Sequence, residues 1–158
     1  MSRKTPATTA MDRAKKPYEL LEYQYDPDAP SIGLHAAQSM GLPPSQVFKT
    51  LMTTAGDEAL IAVVPSDHEL NLKALAHAAG KKSVAMMKIP DAERLSGYKV
   101  GGVSPLGQKK RLRTFFDASA LALPFIVVNG GQRGLQIKAT AADLIEATGA
   151  MVADIASG

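Results

Sequence analysis

Two pairs of apolar segments, each joined by a short glycine-containing turn, constrain the fold more than any other feature of this sequence. The first pair is 47–54 ("VFKTLMTT") and 59–65 ("ALIAVVP"), separated by a turn that contains Gly-Asp. The second pair is 124–129 ("PFIVVN") and 135–139 ("LQIKA"), separated by "GGQRG". Short apolar runs around such turns are typical of β-hairpins. The sequence therefore predicts two antiparallel strand pairs.

Helices are predicted between and after these hairpins. Apolar spacing and capping residues indicate helices at 6–16, 32–40, 71–80, 90–95 and 140–149. Further strands are predicted at 18–25, 114–117 and 150–155. Strands and helices are mixed instead of alternating regularly, which disfavours a doubly wound parallel sheet. We expect an α+β fold, a barrel-like, largely antiparallel mixed sheet surrounded by helices, in one domain over 1–158 whose residues 1–4 are flexible.

Composition excludes several classes of function. The 158 residues include no cysteine, which excludes disulfides, thiolate metal sites and a cysteine nucleophile. No apolar run approaches the roughly 18 residues of a membrane span. The start of the chain lacks the apolar core of a secretory signal, although its basic, Ser/Thr-bearing composition leaves a transit peptide open. We expect a cytoplasmic protein that binds neither membranes nor DNA.

The net charge of +3 is unevenly distributed. Residues 1–16 carry five Lys or Arg residues against one Asp, which leaves the rest of the chain at −1. A general nucleic-acid binder would be basic over a larger surface. One cluster stands out in the body of the chain, and its simplest interpretation is a solvated loop: Lys109, Lys110, Arg111 and Arg113.

Lys49 is the candidate functional residue of the first hairpin, because it lies inside an apolar run. In a strand it shares one face with Val47 and Leu51, while Phe48 and Thr50 take the other. Two interpretations stay open. Lys49 either extends to water along a sheet edge, or lines a pocket and holds its ammonium for an anionic ligand.

Two glycine-rich turns are further candidates. Gly101 and Gly102 lie in "VGGVSPLG", and Gly130 and Gly131 lie in "NGGQRG". Both segments are either tight turns between strands or places where uncovered backbone N–H groups bind a phosphate or a developing oxyanion.

Familiar catalytic motifs are missing from the sequence. It contains no GxSxG elbow, no GxGxxG fingerprint and no P-loop. The three histidines are widely separated and do not form HExxH. We therefore predict no metal and no cofactor.

Three segments in order, "VFKTLM", "GYKVGGVSPLGQKKRL" and "VNGGQRGL", resemble the YbaK/EbsC family, and more closely its YbaK-type Cys-tRNA(Pro) deacylases. The resemblance extends over about residues 5–156. It implies a barrel-like mixed α/β fold related to the editing domain of bacterial prolyl-tRNA synthetase. It also implies that the protein removes a wrong amino acid from tRNA, acting in trans, with prolyl-tRNA synthetase as the expected partner.

The resemblance also implies site residues. The family's essential lysine corresponds to Lys49, which we expect to act with backbone N–H groups of Gly101 or Gly102 on the ester of the tRNA acceptor end. The expected substrate-binding residues are Tyr23, Ile32, Thr50, Asn129, Gly130, Gly131, Arg133 and Gln136. Beside an acceptor end, the basic cluster becomes a phosphate-binding patch: Lys109, Lys110, Arg111 and Arg113.

Two departures from the YbaK-type pattern bear on substrate choice. Asn129 stands where those enzymes carry serine, and Gln136 stands where they carry aspartate. Loss of the carboxylate removes a partner for the substrate's amino group. The leading hypothesis is deacylation of Cys-tRNA(Pro), in which the substrate's own thiol can attack. The alternatives are a deacylase for alanine or serine, and a non-catalytic tRNA- or synthetase-binding module.

Overall fold

The computed structural model describes residues 4–157, within which there are five α-helices and ten β-strands. The helices are α1 (Pro6–Arg13), α2 (Ile32–Met40), α3 (Leu72–Ala79), α4 (Ile89–Ser96) and α5 (Ala141–Thr148). The strands are β1 (Glu19–Glu22), β2 (Phe48–Ala55), β3 (Glu58–Pro65), β4 (Glu69–Leu70), β5 (Ala85–Met86), β6 (Arg113–Asp117), β7 (Ile126–Gln132), β8 (Leu135–Ala139), β9 (Met151–Ala153) and β10 (Ala156–Ser157). The prediction of a flexible start concerns residues 1–4, of which 1–3 lie outside the described residues.

The strands form three sheets. The largest has the order β5-β2-β3-β6-β9, a second has the order β1-β8-β7, and β10 pairs with β4. β6 runs parallel to β3 and β9, and the other pairs are antiparallel. A single bridge between Val47 and Val127 connects the two larger sheets. The mixed, largely antiparallel α/β class is confirmed, although the described strands do not close into a hydrogen-bonded barrel.

Both predicted hairpins are present. β2 and β3 pair over their full length, and Gly56 takes a φ of +67° in their turn, a conformation that glycine adopts without steric cost. β7 extends three residues beyond the predicted strand end at Asn129, because the ladder continues past a bulge to Gln132. The predicted turn "GGQRG" is therefore too long: Arg133 and Gly134 alone connect β7 to β8.

The predicted helices are confirmed, with shifts at their ends. α2 spans 32–40 as predicted and ends at Gly41, whose φ is +68°. α1 ends at Arg13 instead of Lys16, because Lys15 adopts a left-handed φ of +57° that a continuing helix does not allow. Strand β1 is also shorter than the predicted 18–25.

The central strand β3 is buried on both faces, which explains its continuous apolar run. Ile61 and Val63 pack into a cluster with side chains of β7, β8, α1 and α5. Leu60, Ala62 and Val64 point the other way, into a second cluster with α3. Alternate residues of one strand therefore stabilise two cores, and the rigid β3 supports β2, which carries Lys49.

Candidate active site

A cavity of about 350 Å³ opens between the start of α2, the first half of β2 and the loop that follows α4. Much of its wall is apolar and comes from α2, β2 and Val103. Its polar side chains are Tyr23, Ser31, Lys49, Thr50, Asn129 and Gln136. A mostly apolar cleft with a few convergent polar groups is the usual form of a small-molecule site. The cavity is therefore the candidate active site.

Lys49 lines this cavity at an open edge of the sheet. β5 pairs with β2 only at Thr53 and Thr54, so within the described residues the earlier part of β2 has a strand neighbour on one side alone. Burial lowers the pKa of the Lys49 ammonium below 10.5, and the charges of Glu69 and Asp67 oppose that shift. Lys49 thus lies at a sheet edge and on a cavity wall, and its role in binding an anionic ligand stays a prediction.

Gly101 is the one residue of the two glycine pairs that lines the cavity. Its φ is +86°, and a Cβ added there would lie 2.8 Å from Cε1 of Tyr25, so the position requires glycine. No described residue accepts a hydrogen bond from the Gly101 backbone N–H. This N–H is therefore available to a ligand, as an oxyanion donor must be.

The N–H groups of two other glycines are occupied within the protein. Gly102 donates to the carbonyl of Lys99 over 2.8 Å, and Gly131 donates to the side chain of Asn129 over 2.7 Å. Gly130 is buried in the β7 bulge, and its carbonyl accepts from the Thr5 hydroxyl over 2.6 Å. These three glycines shape the wall behind the cavity and do not line it.

Asn129 connects the two glycine turns. Its Nδ2 donates to the carbonyl of Gly101 over 3.0 Å, and its Oδ1 accepts from the N–H of Gly131 over 2.7 Å. A serine has a shorter side chain with a single oxygen and cannot reproduce this bridge. The departure from the YbaK-type pattern at this position therefore has a structural consequence.

Two buried hydroxyl groups of the cavity have no hydrogen-bond partner among the described residues. They are Tyr23 Oη and Thr50 Oγ1. Tyr23 is only 9% exposed, and burial raises the pKa of its phenol. The Gly134 N–H and the Gln136 amide oppose that rise without reaching hydrogen-bond geometry. Because unpaired buried hydroxyls are costly, we expect a ligand to satisfy them.

Gln136 and Ile32 complete the predicted lining. Gln136 is 4% exposed and lies opposite Asn129 in the β7–β8 ladder. Ile32 begins α2 and lines the opposite wall, next to Ser31, whose hydroxyl caps the helix through the Leu34 N–H. No Asp or Glu of the described residues lines the cavity, so a substrate ammonium meets neutral groups there.

Arg133 lies outside the cavity lining, behind its glycine loop. Its Nε donates to the carbonyl of Val100 over 2.8 Å, and its guanidinium carbon lies 5.1 Å from the ring centroid of Tyr25. Sequence reasoning missed Tyr25, and it missed Glu93, whose carboxylate accepts from the Val100 N–H over 2.8 Å. The fold brings these two residues to the loop from remote parts of the chain. Tyr25 could have been predicted, because in an extended segment it lies on the same side as Tyr23, two residues earlier.

No member of the basic cluster lines the cavity. Arg113 lies opposite Leu60 on β3, four residues from Val64, the partner of Lys49. That separation is about 13 Å along the sheet at about 3.3 Å per residue. Arg113 also forms a bidentate ion pair with Glu58, in which Nε lies 2.8 Å from Oε2 and Nη2 lies 3.1 Å from Oε1. This pairing lowers the pKa of the Glu58 carboxylate to about 2. All four residues of the cluster are exposed.

Other kinds of site find no support in the part of the chain that the structure describes. Residues 4–157 contain no group of three or more His, Asp or Glu side chains that could hold a metal ion. Within the same residues, no helix is both long enough and apolar enough to span a membrane.

Comparison with known proteins identifies relatives in sequence and in fold. The profile of the family described as "Aminoacyl-tRNA editing domain" matches residues 26–147, which is more than three quarters of the chain. The Enterococcus faecalis protein named "Putative Cys-tRNA(Pro)/Cys-tRNA(Cys) deacylase EbsC" is 35% identical over 153 residues, which cover 96% of this chain and 93% of that one.

A second similarity in sequence and one solved structure extend the comparison. A proline–tRNA ligase of Geobacter metallireducens is 32% identical over 99 residues, 63% of this chain but only 17% of the ligase. A crystal structure described as "a putative trans-editing enzyme for prolyl tRNA synthetase" superposes with a TM-score of 0.83 at 24% identity, covering 99% of this chain and all of that one. The family match and the nearly full-length EbsC relative together show that this chain belongs to the aminoacyl-tRNA editing domain family.

Proposed function

We propose that this protein is a trans-editing deacylase that releases cysteine from tRNA(Pro). The observation that carries the proposal is that one cavity is lined both by Lys49, whose ammonium is partly buried, and by Gly101, whose N–H donates to no described residue. The resemblance in sequence to the Enterococcus EbsC protein, whose name includes Cys-tRNA(Pro) deacylase, supports the choice of ester.

The reaction requires stabilisation of negative charge. When the ester carbonyl that joins the amino acid to the terminal ribose is attacked, its oxygen becomes negative in the transition state. A preorganised N–H and an ammonium in a water-poor cleft stabilise that charge more than water does. Gly101 supplies the N–H, and Lys49 holds either this oxygen or the terminal phosphate.

The nucleophile comes from outside the protein's side chains. Ser31 and Thr50 line the cavity, but no described histidine or carboxylate hydrogen-bonds to either hydroxyl, so neither is activated. In a cysteinyl ester the substrate's sulfur can attack its own carbonyl carbon. The ester C–O bond breaks, the thiol proton goes to the departing ribose oxygen, and a cyclic thioester leaves for hydrolysis by water.

Selection of the tRNA is expected to need a partner. The chain is nearly neutral outside residues 1–16, and none of the four residues of its basic cluster lines the cavity. Proline–tRNA ligases contain a stretch related to this chain, which makes prolyl-tRNA synthetase the partner of choice in this proposal.

A deacylation panel tests the function. Purified protein is incubated with Cys-, Ala-, Ser- and Pro-tRNA(Pro), with and without prolyl-tRNA synthetase. We expect the cysteinyl ester to be released fastest, and faster when the synthetase is present. Faster release of alanine or serine would change the assigned substrate to that aminoacyl ester. No release of any amino acid would favour a non-catalytic binding module.

The attacking group is tested with a blocked thiol. S-methylcysteinyl-tRNA(Pro) keeps the sulfur but adds one methyl group to it, which removes the thiol proton and the free sulfur nucleophile. We expect its release to be slower by at least tenfold. Release at the rate of the cysteinyl ester would instead identify water as the nucleophile.

A further inference from the structure

We propose that Arg133 is a positioning residue: its guanidinium orients and polarises the Val100–Gly101 peptide, whose N–H serves as the oxyanion donor of the cavity. The inference rests on the proposed deacylase function and gives this arginine a role through the backbone, without contact to the substrate. It starts from the side-chain hydrogen bond between Arg133 Nε and the Val100 carbonyl.

Hydrogen bonding in the loop leaves one backbone group free. The peptides that join Val100 to Gly101 and Gly101 to Gly102 have four polar groups, and three of them are paired. The three pairings are Arg133 Nε to Val100 O at 2.8 Å, Asn129 Nδ2 to Gly101 O at 3.0 Å, and Gly102 N–H to Lys99 O at 2.8 Å. The remaining group is the Gly101 N–H. Gly101 is partly exposed and lines the cavity, so a ligand there can reach this N–H.

The geometry of the peptide directs that N–H away from Arg133. The peptide is trans, and in a trans peptide the carbonyl and the N–H point in opposite directions. Arg133 lies on the carbonyl side. The N–H of Gly101 therefore points away from the guanidinium, and Gly101 itself is one of the residues that line the cavity.

The charge of Arg133 also strengthens the donor. A hydrogen bond from an ionised group is roughly twice as strong as one between neutral groups. Drawing electron density toward the carbonyl oxygen makes the N–H of the same peptide a better donor, because hydrogen bonds in series polarise one another. A distant cation thus adds to the stabilisation of the oxyanion.

Neighbouring contacts hold the arginine and the peptide in place. The Tyr25 ring lies under the guanidinium and against Cα of Gly101, where a Cβ would come within 2.8 Å. The Val100 N–H is fixed by Glu93 over 2.8 Å. The loop is therefore clamped on three sides, which is what a preorganised donor needs.

The competing role for an exposed arginine is binding a tRNA phosphate, and kinetics separates the two. We would measure single-turnover release of cysteine at saturating enzyme, together with the affinity for Cys-tRNA(Pro) at several salt concentrations. The variants are Arg133→Met, which keeps an apolar stem on Tyr25 but no donor, and Arg133→Lys, which keeps a charged donor. Arg94→Met is the matched control, because Arg94 is exposed on α4 and pairs only with Asp91 there.

We expect Arg133→Met to lower the saturated rate by about 10- to 100-fold, less than the loss of a whole oxyanion donor. The affinity of Arg133→Met for Cys-tRNA(Pro) and its salt slope stay those of the wild type. Arg133→Lys recovers part of the saturated rate. Arg94→Met changes neither the rate nor the affinity. The amide resonance of Gly101 in a ¹⁵N–¹H spectrum shifts in Arg133→Met and not in Arg94→Met. This measurement detects polarisation of the peptide in the absence of substrate.

Two results overturn the inference. One is an unchanged saturated rate in Arg133→Met with a salt slope reduced by about one unit, which assigns Arg133 to a phosphate. The other is an unshifted Gly101 resonance in a variant that remains folded by thermal unfolding. If the wild-type protein releases no amino acid at all, the proposed function fails instead, and the spectrum alone decides the role of Arg133.

Discussion

The side-chain amide of Asn129 joins two turns that lie 28 residues apart, because it donates to the carbonyl of Gly101 over 3.0 Å. The same side chain accepts from the N–H of Gly131. One residue thus connects the β7 bulge to the loop that carries the candidate oxyanion donor. The orientation of that loop depends on contacts made far from it in sequence.

Replacing Asn129 should weaken both the loop and the reaction. Asn129→Ala removes two hydrogen bonds and should cost roughly 2 kcal/mol of unfolding free energy, at about 1 kcal/mol each. Asn129→Asp keeps the acceptor for Gly131 but places a carboxylate against the Gly101 carbonyl, so we expect a larger loss of saturated rate than of stability. Urea unfolding and single-turnover deacylation measure the two effects.

Asn71 provides the matched control for this pair of variants. Its side chain caps α3 by accepting from the Ala74 N–H over 3.0 Å, away from the cavity. Asn71→Ala should cost about 1 kcal/mol of stability and leave the rate unchanged. Equal rate losses in Asn71→Ala and Asn129→Ala would show that Asn129 acts on the reaction through general stability alone.

The sequence predicts the local parts of this site and not the distant ones. The β2–β3 hairpin follows from its apolar runs and its Gly-containing turn, and Lys49 stands out because it interrupts such a run. The open sheet edge beside Lys49 results from β5 being only two residues long, and nothing in the sequence signals so short an edge strand. The clamp of Tyr25, Glu93 and Arg133 on one loop requires packing between remote segments, which periodicity does not report.

The same limit applies to the sheet. β6 was predicted as a strand, but its parallel pairing with β3 and β9 joins segments about 50 and 35 residues apart. A hairpin can be predicted from the residues of its own strands and turn. The parallel pairing of β6 depends instead on the burial of both faces of β3, which local residues do not show. The basic cluster shows the converse: its charge is evident from the sequence, but the ion pair of Arg113 with Glu58 is not.

Gln136 is expected to control amino-acid choice. Gln136→Asp places a carboxylate in a cavity whose described lining has none, where it can anchor the substrate's ammonium and fix where the substrate side chain lies. We expect the ratio of kcat/KM for cysteinyl over alanyl esters to rise. Gln38→Asp, an exposed site on α2, controls for the added charge. An unchanged ratio in Gln136→Asp would remove this residue from substrate selection.

Asp117 should make the C-terminal strand sensitive to acid. Its Oδ1 accepts from the N–H groups of Ile155 and Ala156, both over 2.9 Å, and its Oδ2 accepts from the N–H and hydroxyl of Ser119. Burial alone would raise the pKa of this carboxyl, but these hydrogen bonds outweigh it and lower the pKa below 3.8. A lowered pKa means that the stabilisation is complete above the ordinary value and is lost as pH falls through the folded-state pKa.

The measurement is urea unfolding of wild type and Asp117→Asn at pH 7 and pH 3. We expect Asp117→Asn to cost roughly 2 to 4 kcal/mol at pH 7, since it exchanges hydrogen bonds to a charged group for mismatched ones, and the difference to shrink in acid. Asp154→Asn, on the same segment but exposed, should cost little at either pH. A difference for Asp117→Asn that is the same at both pH values would contradict this account.

The basic cluster should act on tRNA affinity and not on chemistry. Replacing Lys109 and Lys110 with Ala should flatten the dependence of log K on log salt by roughly one unit per lost phosphate contact, with the saturated rate unchanged. Replacing the exposed Lys73 and Lys82 in the same way is the control. Arg113→Ala should leave the salt slope intact, because its guanidinium is paired with Glu58. Equal slopes in all variants would exclude the cluster from tRNA binding.

Lys49 is the centre of the account, and its removal is the most direct test. We would measure single-turnover deacylation of Cys-tRNA(Pro) by the wild type, Lys49→Ala and Lys49→Arg, with thermal unfolding of each protein. A partly buried lysine at a sheet edge contributes little to stability, so both variants should unfold close to the wild type. Loss of the ammonium should lower the rate by about 10² to 10³, and the larger, planar guanidinium of Lys49→Arg should restore little of it. A folded Lys49→Ala that releases cysteine at nearly the wild-type rate would contradict the proposed role of Lys49 and the mechanism built on it.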